Sequence, residues 1–343
     1  MKRFLVLLLS LALIFMSALA FGCKKPEGDA KLSLYAPDGA PALSVARLLH
    51  DDKAVEGVDV KVVSANVIQT YVTGANPTAD FCIMPVNAAS KLLGSANNYQ
   101  MLGVVTHGNL FLMKKQSSAD INTDNLDTLK GKKVGVLNMA NVPGLTFKAI
   151  LNDFELDYVD ITSTGTVDSN KVNLVALTDG TVTPSADCDY FVVPEPAATT
   201  KQNETGGKLQ IAASLQALYG FKNGGQTGFP QAVLVAKKTV IQQKPSVVSA
   251  LINSFVQNAS WLTDEGTTTT DIVNAVKSGF VDKEMGQTFN ANNLSPAVIQ
   301  NCAISFKSAA EEKTAVLVYL AKLNTISNNA WGTPVDTFFY TAD

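Results

Sequence analysis

The residues best placed to do chemistry sit at four junctions, each an apolar run followed by proline and the start of a helical pattern. Asp38, Gly39 and Ala40 precede Pro41. Met84 and Asn87 flank Pro85. Asn141, Val142, Gly144 and Thr146 surround Pro143, and Glu195 follows Pro194. The chemistry on offer is non-covalent. A helix N-terminus presents unpaired N–H groups and partial positive charge, and at the strand C-termini of an open α/β sheet such turns face a crevice. Gly39 and Gly144 allow close backbone approach. Asp38 and Asn87 suit the orientation of polar groups, and Glu195 suits acceptance from an amine. Each also has a plainer use. Asp38, Asn87 and Glu195 fit helix capping, and Thr146 fits a bond to its own backbone. His107 either lines the same site or is a satisfied, partly buried histidine. His50 reads as a surface residue, and Trp261 and Trp331 as core.

Other chemistries are poorly supported. Two histidines and four cysteines among 343 residues leave little room for a metal site or a His-dependent catalytic array. There is no Gly-x-Ser-x-Gly and no phosphate loop. The expectation is therefore a protein that is not an enzyme, with no cofactor and no metal. Apolar residues make up 46% of the chain and charged residues 17%, which favours folding over disorder. The net charge of −3, from 27 basic and 30 acidic residues, lacks the basic excess of a nucleic-acid binder. Cys82 and Cys188 lie in or beside apolar, strand-like runs and read as buried small residues, and Cys302 completes an odd number.

The elements that must position these residues repeat. Asp80-Phe81-Cys82-Ile83-Met84-Pro85-Val86-Asn87-Ala88-Ala89-Ser90 matches Asp189-Tyr190-Phe191-Val192-Val193-Pro194-Glu195-Pro196-Ala197-Ala198-Thr199 in pattern. Upstream, Ala40 to Leu49 matches Val142 to Leu151, each after an apolar run, Leu32 to Tyr35 and Val134 to Leu137. Pro41 and Pro85 are 44 residues apart, Pro143 and Pro194 are 51 apart, so the offset is similar but not a strict period. Two divergent copies of one α/β unit follow. Further strands are expected at Val58 to Val63, Met101 to Lys114, Asp157 to Ile161, Val172 to Leu177 and Ala232 to Lys237. Helices are expected at Pro245 to Leu262 and Ala309 to Leu323, and Ser295-Pro296 suits a helix start. The chain should pass between the units near Lys115 to Ser118 and again near Lys237 to Thr239. Two passages between two similar lobes make a hinge, with a ligand cleft between them.

The N-terminus is an address. Lys2 and Arg3 precede an uncharged run from Phe4 to Gly22, and Cys23 follows, then a polar stretch from Lys24 to Asp29. Small-x-small-Cys after an apolar run resembles a bacterial lipobox, which implies cleavage before Cys23 and its lipidation. Ala18-Leu19-Ala20 also suits ordinary secretory cleavage, and an uncleaved anchor is a third reading. All three export the protein. Loss of Lys2 and Arg3 leaves 25 basic and 30 acidic residues, a charge of −5, and Arg47 as the one arginine.

Tyr35-Ala36-Pro37-Asp38-Gly39-Ala40-Pro41-Ala42, Leu129-Lys130-Gly131-Lys132-Lys133-Val134-Gly135-Val136 and Val193-Pro194-Glu195-Pro196 resemble the nitrate/sulfonate/taurine and thiamine-pyrimidine-precursor family of solute-binding proteins of ABC importers. The resemblance covers about 31–237, and Pro334 to Tyr340 is similar to the family's usual end. It implies a periplasmic-binding-protein type II fold with mainly parallel mixed sheets, a hinge and a helical C-terminal region. It also implies an extracytoplasmic, lipid-anchored monomer that takes a small-molecule solute to an ABC permease. The expected layout is a signal peptide at 1–22, lipidated Cys23 and tether to 30, lobe I at 31–115 plus 239–343, and lobe II at 116–238. Arginine is the usual bidentate clamp for anions, and Arg47 lies about two helical turns beyond Ala40. A neutral or amine-bearing, pyrimidine-like heterocycle is therefore the expected ligand. A sulfonate or taurine binder is the alternative, as is a surface receptor or an enzyme on the same fold.

Overall fold

Short apolar runs bounded by proline, glycine and asparagine become twelve strands among the described residues, and they build two sheets. The computed structural model describes residues 31–50, 54–94, 98–328 and 330–341. The expected signal segment and Cys23 lie outside them. From Leu32 onward the chain is one compact unit.

The first sheet holds β1 (Leu32–Pro37), β2 (Val58–Val63), β3 (Phe81–Pro85), β4 (Tyr99–Thr106), β11 (Ala232–Lys237) and β12 (Ile304–Ser308), in spatial order β12-β4-β11-β3-β1-β2. The second holds β5 (Leu110–Lys115), β6 (Lys133–Leu137), β7 (Tyr158–Ile161), β8 (Val172–Leu177), β9 (Tyr190–Pro194) and β10 (Leu209–Ser214), in order β10-β5-β9-β6-β8-β7. The internal repeat is visible in the pairing. β1 lies parallel between β2 and β3, and β6 lies parallel between β8 and β9. The first strand after each passage between sheets then packs antiparallel on the third strand of the unit, β11 on β3 and β5 on β9. β4 and β10 follow next to these in antiparallel pairing. The second unit is longer because an additional edge strand, β7, pairs with β8.

Side chains alternate across each strand, and both faces are covered. Phe81 and Ile83 enter one apolar cluster, Cys82 and Met84 another. Tyr190 and Val192 are separated from Phe191 and Val193 in the same way. Burial on both faces is why these strands read as near-continuous apolar runs. Cys82, Cys188 and Cys302 are free and buried.

The helices are α1 (Ala40–Leu43), α2 (Ala46–Leu49), α3 (Val86–Leu93), α4 (Val142–Asp153), α5 (Ala197–Glu204) and α6 (Leu215–Lys222). After them come α7 (Lys238–Gln243), α8 (Pro245–Leu262), α9 (Thr269–Ser278), α10 (Pro296–Asn301) and α11 (Ala309–Ile326). Proline stands in the first turn of α1, α4, α8 and α10, and the Ser295 hydroxyl accepts from Val298 N at the start of α10. α11 follows β12 of the first sheet yet packs on α4 of the second. Tyr319 O–H and Thr146 Oγ1 are 2.6 Å apart, and Lys322 pairs with Asp153. No helix among the described residues is long and apolar enough to cross a membrane.

The passages differ from the sequence expectation. The chain crosses at His107 to Asn109, between β4 and β5, and again between α6 and β11. The run from Met101 to Lys114 is thus two strands in different sheets, and Ala232 to Lys237 belongs to the first sheet. The expected crossings at Lys115 to Ser118 and Lys237 to Thr239 are corrected accordingly. Burial on both sides makes the strands of either sheet look alike, so apolarity alone did not mark the change of sheet.

Candidate functional site

The two crossings define a rim. β3 and β4 end there and β11 begins there, since Ala232 stands opposite both Pro85 and Thr106. Across the first crossing lies the end of β9. Glu195 N donates to Asn109 O at 2.9 Å, and Leu110 pairs in register with Pro194. The rim of the first sheet therefore meets the β9–α5 junction of the second.

Glu195 is buried, 3% exposed. Its Oε1 accepts from Thr199 Oγ1 and from Asn301 Nδ2, both at 2.7 Å, and its Oε2 accepts from Thr199 N at 3.1 Å. The carboxylate thus caps the first turn of α5 and also ties the second sheet's junction to α10, which leads into β12 of the first. No cation pairs with it among the described residues. This is a buried acidic group held by neutral donors alone, an unusual arrangement that hydrogen bonds must sustain.

His107 stands on the first crossing, 3% exposed. Its Nδ1 is 2.9 Å from Ser305 Oγ. Its Nε2 lies 3.6 Å from Glu312 Oε1, within ion-pair range but beyond hydrogen-bond reach. Glu312 also faces Lys307 Nζ at 3.3 Å. Burial pushes the Glu312 carboxyl up, but the His107 ring and the Lys307 ammonium together outweigh it and hold the group below its ordinary value.

Gln231, one residue before β11, donates through Nε2 to Asn109 Oδ1 at 2.9 Å. Asn109 reaches on to Glu195 O at 3.4 Å. Gln216 of α6 accepts from Leu110 N at 3.0 Å. A polar belt thus runs along the crossings. Among the described residues six buried side-chain atoms have no hydrogen-bond partner, and four of them stand here: Asn87 Oδ1, Thr106 Oγ1, His107 Nε2 and Gln231 Oε1. Such atoms are few in folded proteins, and their concentration on one rim calls for a cause.

The sequence-derived candidates divide. Asn87, His107 and Glu195 come together around the rim. Asp38 uses Oδ1 on Gly39 N at 2.8 Å and Oδ2 on Thr288 N and Oγ1 at 2.9 and 2.7 Å, so it fastens the β1–α1 turn to the chain near Thr288. Gly39 has φ of 102°, a backbone state that favours glycine, and Ala40 is buried behind it. Asn141 is exposed and begins α4 without a side-chain cap; Val142 is 8% exposed. Three candidates belong to the interior instead. Met84 is fully buried in the apolar core, because the alternation of β3 turns it there. Thr146 is fully buried and bonded to Tyr319. At Gly144 a Cβ would stand 2.0 Å from Met139 O, so the close approach is made by the protein's own turn and not by a solute. Thr106, Asn109, Gln231 and Asn301 reach the rim only because the crossings fall at His107 to Asn109 and between α6 and β11, which the apolar pattern does not mark. Gly108, in the middle of the 101–114 run, was the available signal.

Arg47 lies elsewhere. Its Nη1 donates to Ser254 Oγ and its N to Asn258 Oδ1, both at 2.9 Å, on α8.

Solved structures share this architecture. The chain superposes with a TM-score of 0.70 on a crystal structure described as an ABC transporter from Parabacteroides distasonis, at 18% identity, covering 92% of this chain and all of that one. The periplasmic aliphatic sulphonate binding protein SsuA from Escherichia coli gives 0.61 at 11% identity, covering 92% and 93%. The ligand-binding component of an ABC-type import system from Staphylococcus aureus, with zinc bound, gives 0.53 at 11%, covering 90% and 96%. The fold is that of a type II periplasmic-binding protein. No protein-family model and no curated protein matches the chain. At these identities the likeness speaks for the fold, and the site must speak for itself.

Proposed function

We propose that this protein is the extracytoplasmic substrate-binding component of an ABC importer, and that it captures a small solute between its two sheets. The observation that carries the reading is the rim. Two sheets of like topology meet at two crossings, and the groups gathered there are polar, buried and incompletely satisfied. A soluble protein retains such groups where something else completes them. The structural neighbours support the importer context, since they include components of ABC import systems.

The solute is neutral or amine-bearing, and a pyrimidine-like heterocycle suits it. Arg47 is committed to α8, and the buried carboxylate of Glu195 would repel an anion. An alkanesulfonate is the second reading. It draws on the sulphonate-binding neighbour from E. coli. The protein binds its solute without transforming it, and the closed form docks on a permease. Cleavage before Cys23 and lipidation of its thiol would hold it at the membrane surface as a monomer.

Native mass spectrometry of the full chain, expressed in a bacterium and exported, tests the reading. A co-purified small molecule lost on partial denaturation is the expected result. A clean apo mass, unchanged after incubation with a metabolite extract, would overturn it. A mature mass that begins at Cys23 without an added diacylglyceryl group, or that begins elsewhere, would remove the lipid anchor from the account.

A further inference from the structure

The hydrogen-bond polarity of the rim goes one step further than the proposed solute-binding role, on which it rests. We infer that Asn87 and Gln231 are the specificity-determining residues, and that together they select a solute carrying N–H donors. The argument begins with Gln231. Its Nε2 is committed to Asn109 Oδ1 at 2.9 Å, which fixes the amide and leaves Oε1 as the free end. Asn109 is itself held by its backbone and side chain against Glu195, so the orientation of Gln231 is set by groups from both sheets. The free Oε1 is buried and unpartnered.

Asn87 lies close by. Val86 N donates to Gln231 O at 3.0 Å, so the first turn of α3 is stitched to the residue that precedes β11. Asn87 is 5% exposed, and its Oδ1 is also unpartnered. Two amide oxygens on adjoining backbone are therefore left without donors. Of the other rim atoms without a hydrogen bond, His107 Nε2 faces the Glu312 carboxylate, and Thr106 Oγ1 can donate or accept. Oxygen acceptors of this kind cannot be satisfied by a sulfonate, which also only accepts. Amino and ring N–H groups can satisfy them, with Thr106 left to donate to a ring nitrogen. Recognition of this kind rejects an analogue lacking the donor strongly, because the oxygens would stay buried and unpaired.

Calorimetric titration of the full chain separates the possibilities. The probes are 4-amino-2-methylpyrimidine, 2,4-dimethylpyrimidine (the same ring without N–H) and ethanesulfonate. The aminopyrimidine should bind at least tenfold tighter than either control. Asn87→Leu and Gln231→Met, which keep volume and remove the acceptor, should each weaken it at least tenfold. Asn87→Leu should also leave the melting temperature unchanged or raise it, since an unsatisfied buried oxygen is removed; a purely structural asparagine would lower it. Equal binding of the two pyrimidines, or unchanged affinity in both variants, overturns the inference. Tight binding of ethanesulfonate alone overturns it while leaving the solute-binding reading intact. Binding of none of the three overturns the donor-selecting assignment, and a clean apo mass in the preceding experiment would then remove the reading beneath it.

Discussion

At the residue scale, the rim holds one group whose charge state is tied to the crossing. Glu312 is buried, yet the His107 ring and Lys307 hold its carboxyl below the ordinary value of 4.5. A depressed carboxyl contributes stability that is present above its unfolded value and lost as the pH falls through the folded one. The protein should therefore lose stability on the acid side of the usual carboxylate range. His107→Gln removes the larger of the two favourable partners and should move the acid unfolding midpoint to higher pH, as circular dichroism from pH 3 to 6 would record. A midpoint that stays in place would show that His107 does not support Glu312. Cys302 is the opposite case: burial pushes its thiol well up, which suits an inert packing residue in the core beneath α10.

At the scale of elements, the crossings are locked against each other and the long helix is locked to both sheets. A Cβ at Gly228 would stand 1.9 Å from His107 O, so the second crossing lies directly on the first. Gly228→Ala should cost about 1–3 kcal/mol of stability by overpacking, measured in urea. Gly286→Ala, where nothing lies within 4 Å of the added atom, is the control and should change little. α11 begins with a capping box: Ser308 Oγ accepts from Glu311 N at 3.3 Å, and Glu311 Oε2 accepts from Ser308 N at 2.9 Å. Ser308→Ala should remove about 1 kcal/mol. Because α11 packs on α4 across from its own sheet, through Tyr319–Thr146 and Lys322–Asp153, the loss should appear in global unfolding and not as local fraying.

The whole molecule pairs two repeated units through a shared core. One apolar cluster contains Met84, Met101 and Val104 of the first sheet together with Leu112, Val134 and Val192 of the second. Any opening must bend at the two short crossings while α11 and this cluster remain packed, which describes a hinge of limited range. Small-angle scattering should show a lower radius of gyration with a bound solute than without, and an unchanged radius under saturating ligand would count against closure. Much of this was legible beforehand. The repeat around Pro41, Pro85, Pro143 and Pro194 revealed two units, because proline in a first helical turn and apolar strands leave local marks. Strands such as Val58 to Val63 and Ala232 to Lys237, and the helix Pro245 to Leu262, follow from pattern alone. What local pattern does not carry is membership. Lys114 and Ala232 lie in strands buried on both faces, and nothing in their neighbours along the chain states which sheet receives them. The tertiary structure decided that by pairing β11 between β3 and β4 and β5 between β9 and β10. In doing so it moved the crossings to His107 and Gly228, withdrew Met84, Gly144 and Thr146 into the interior, and brought Asn87, Asn109, Glu195 and Gln231 to one rim. Helix starts are written in a few adjacent residues; a binding site is assembled from residues far apart in the chain, and only packing brings them together.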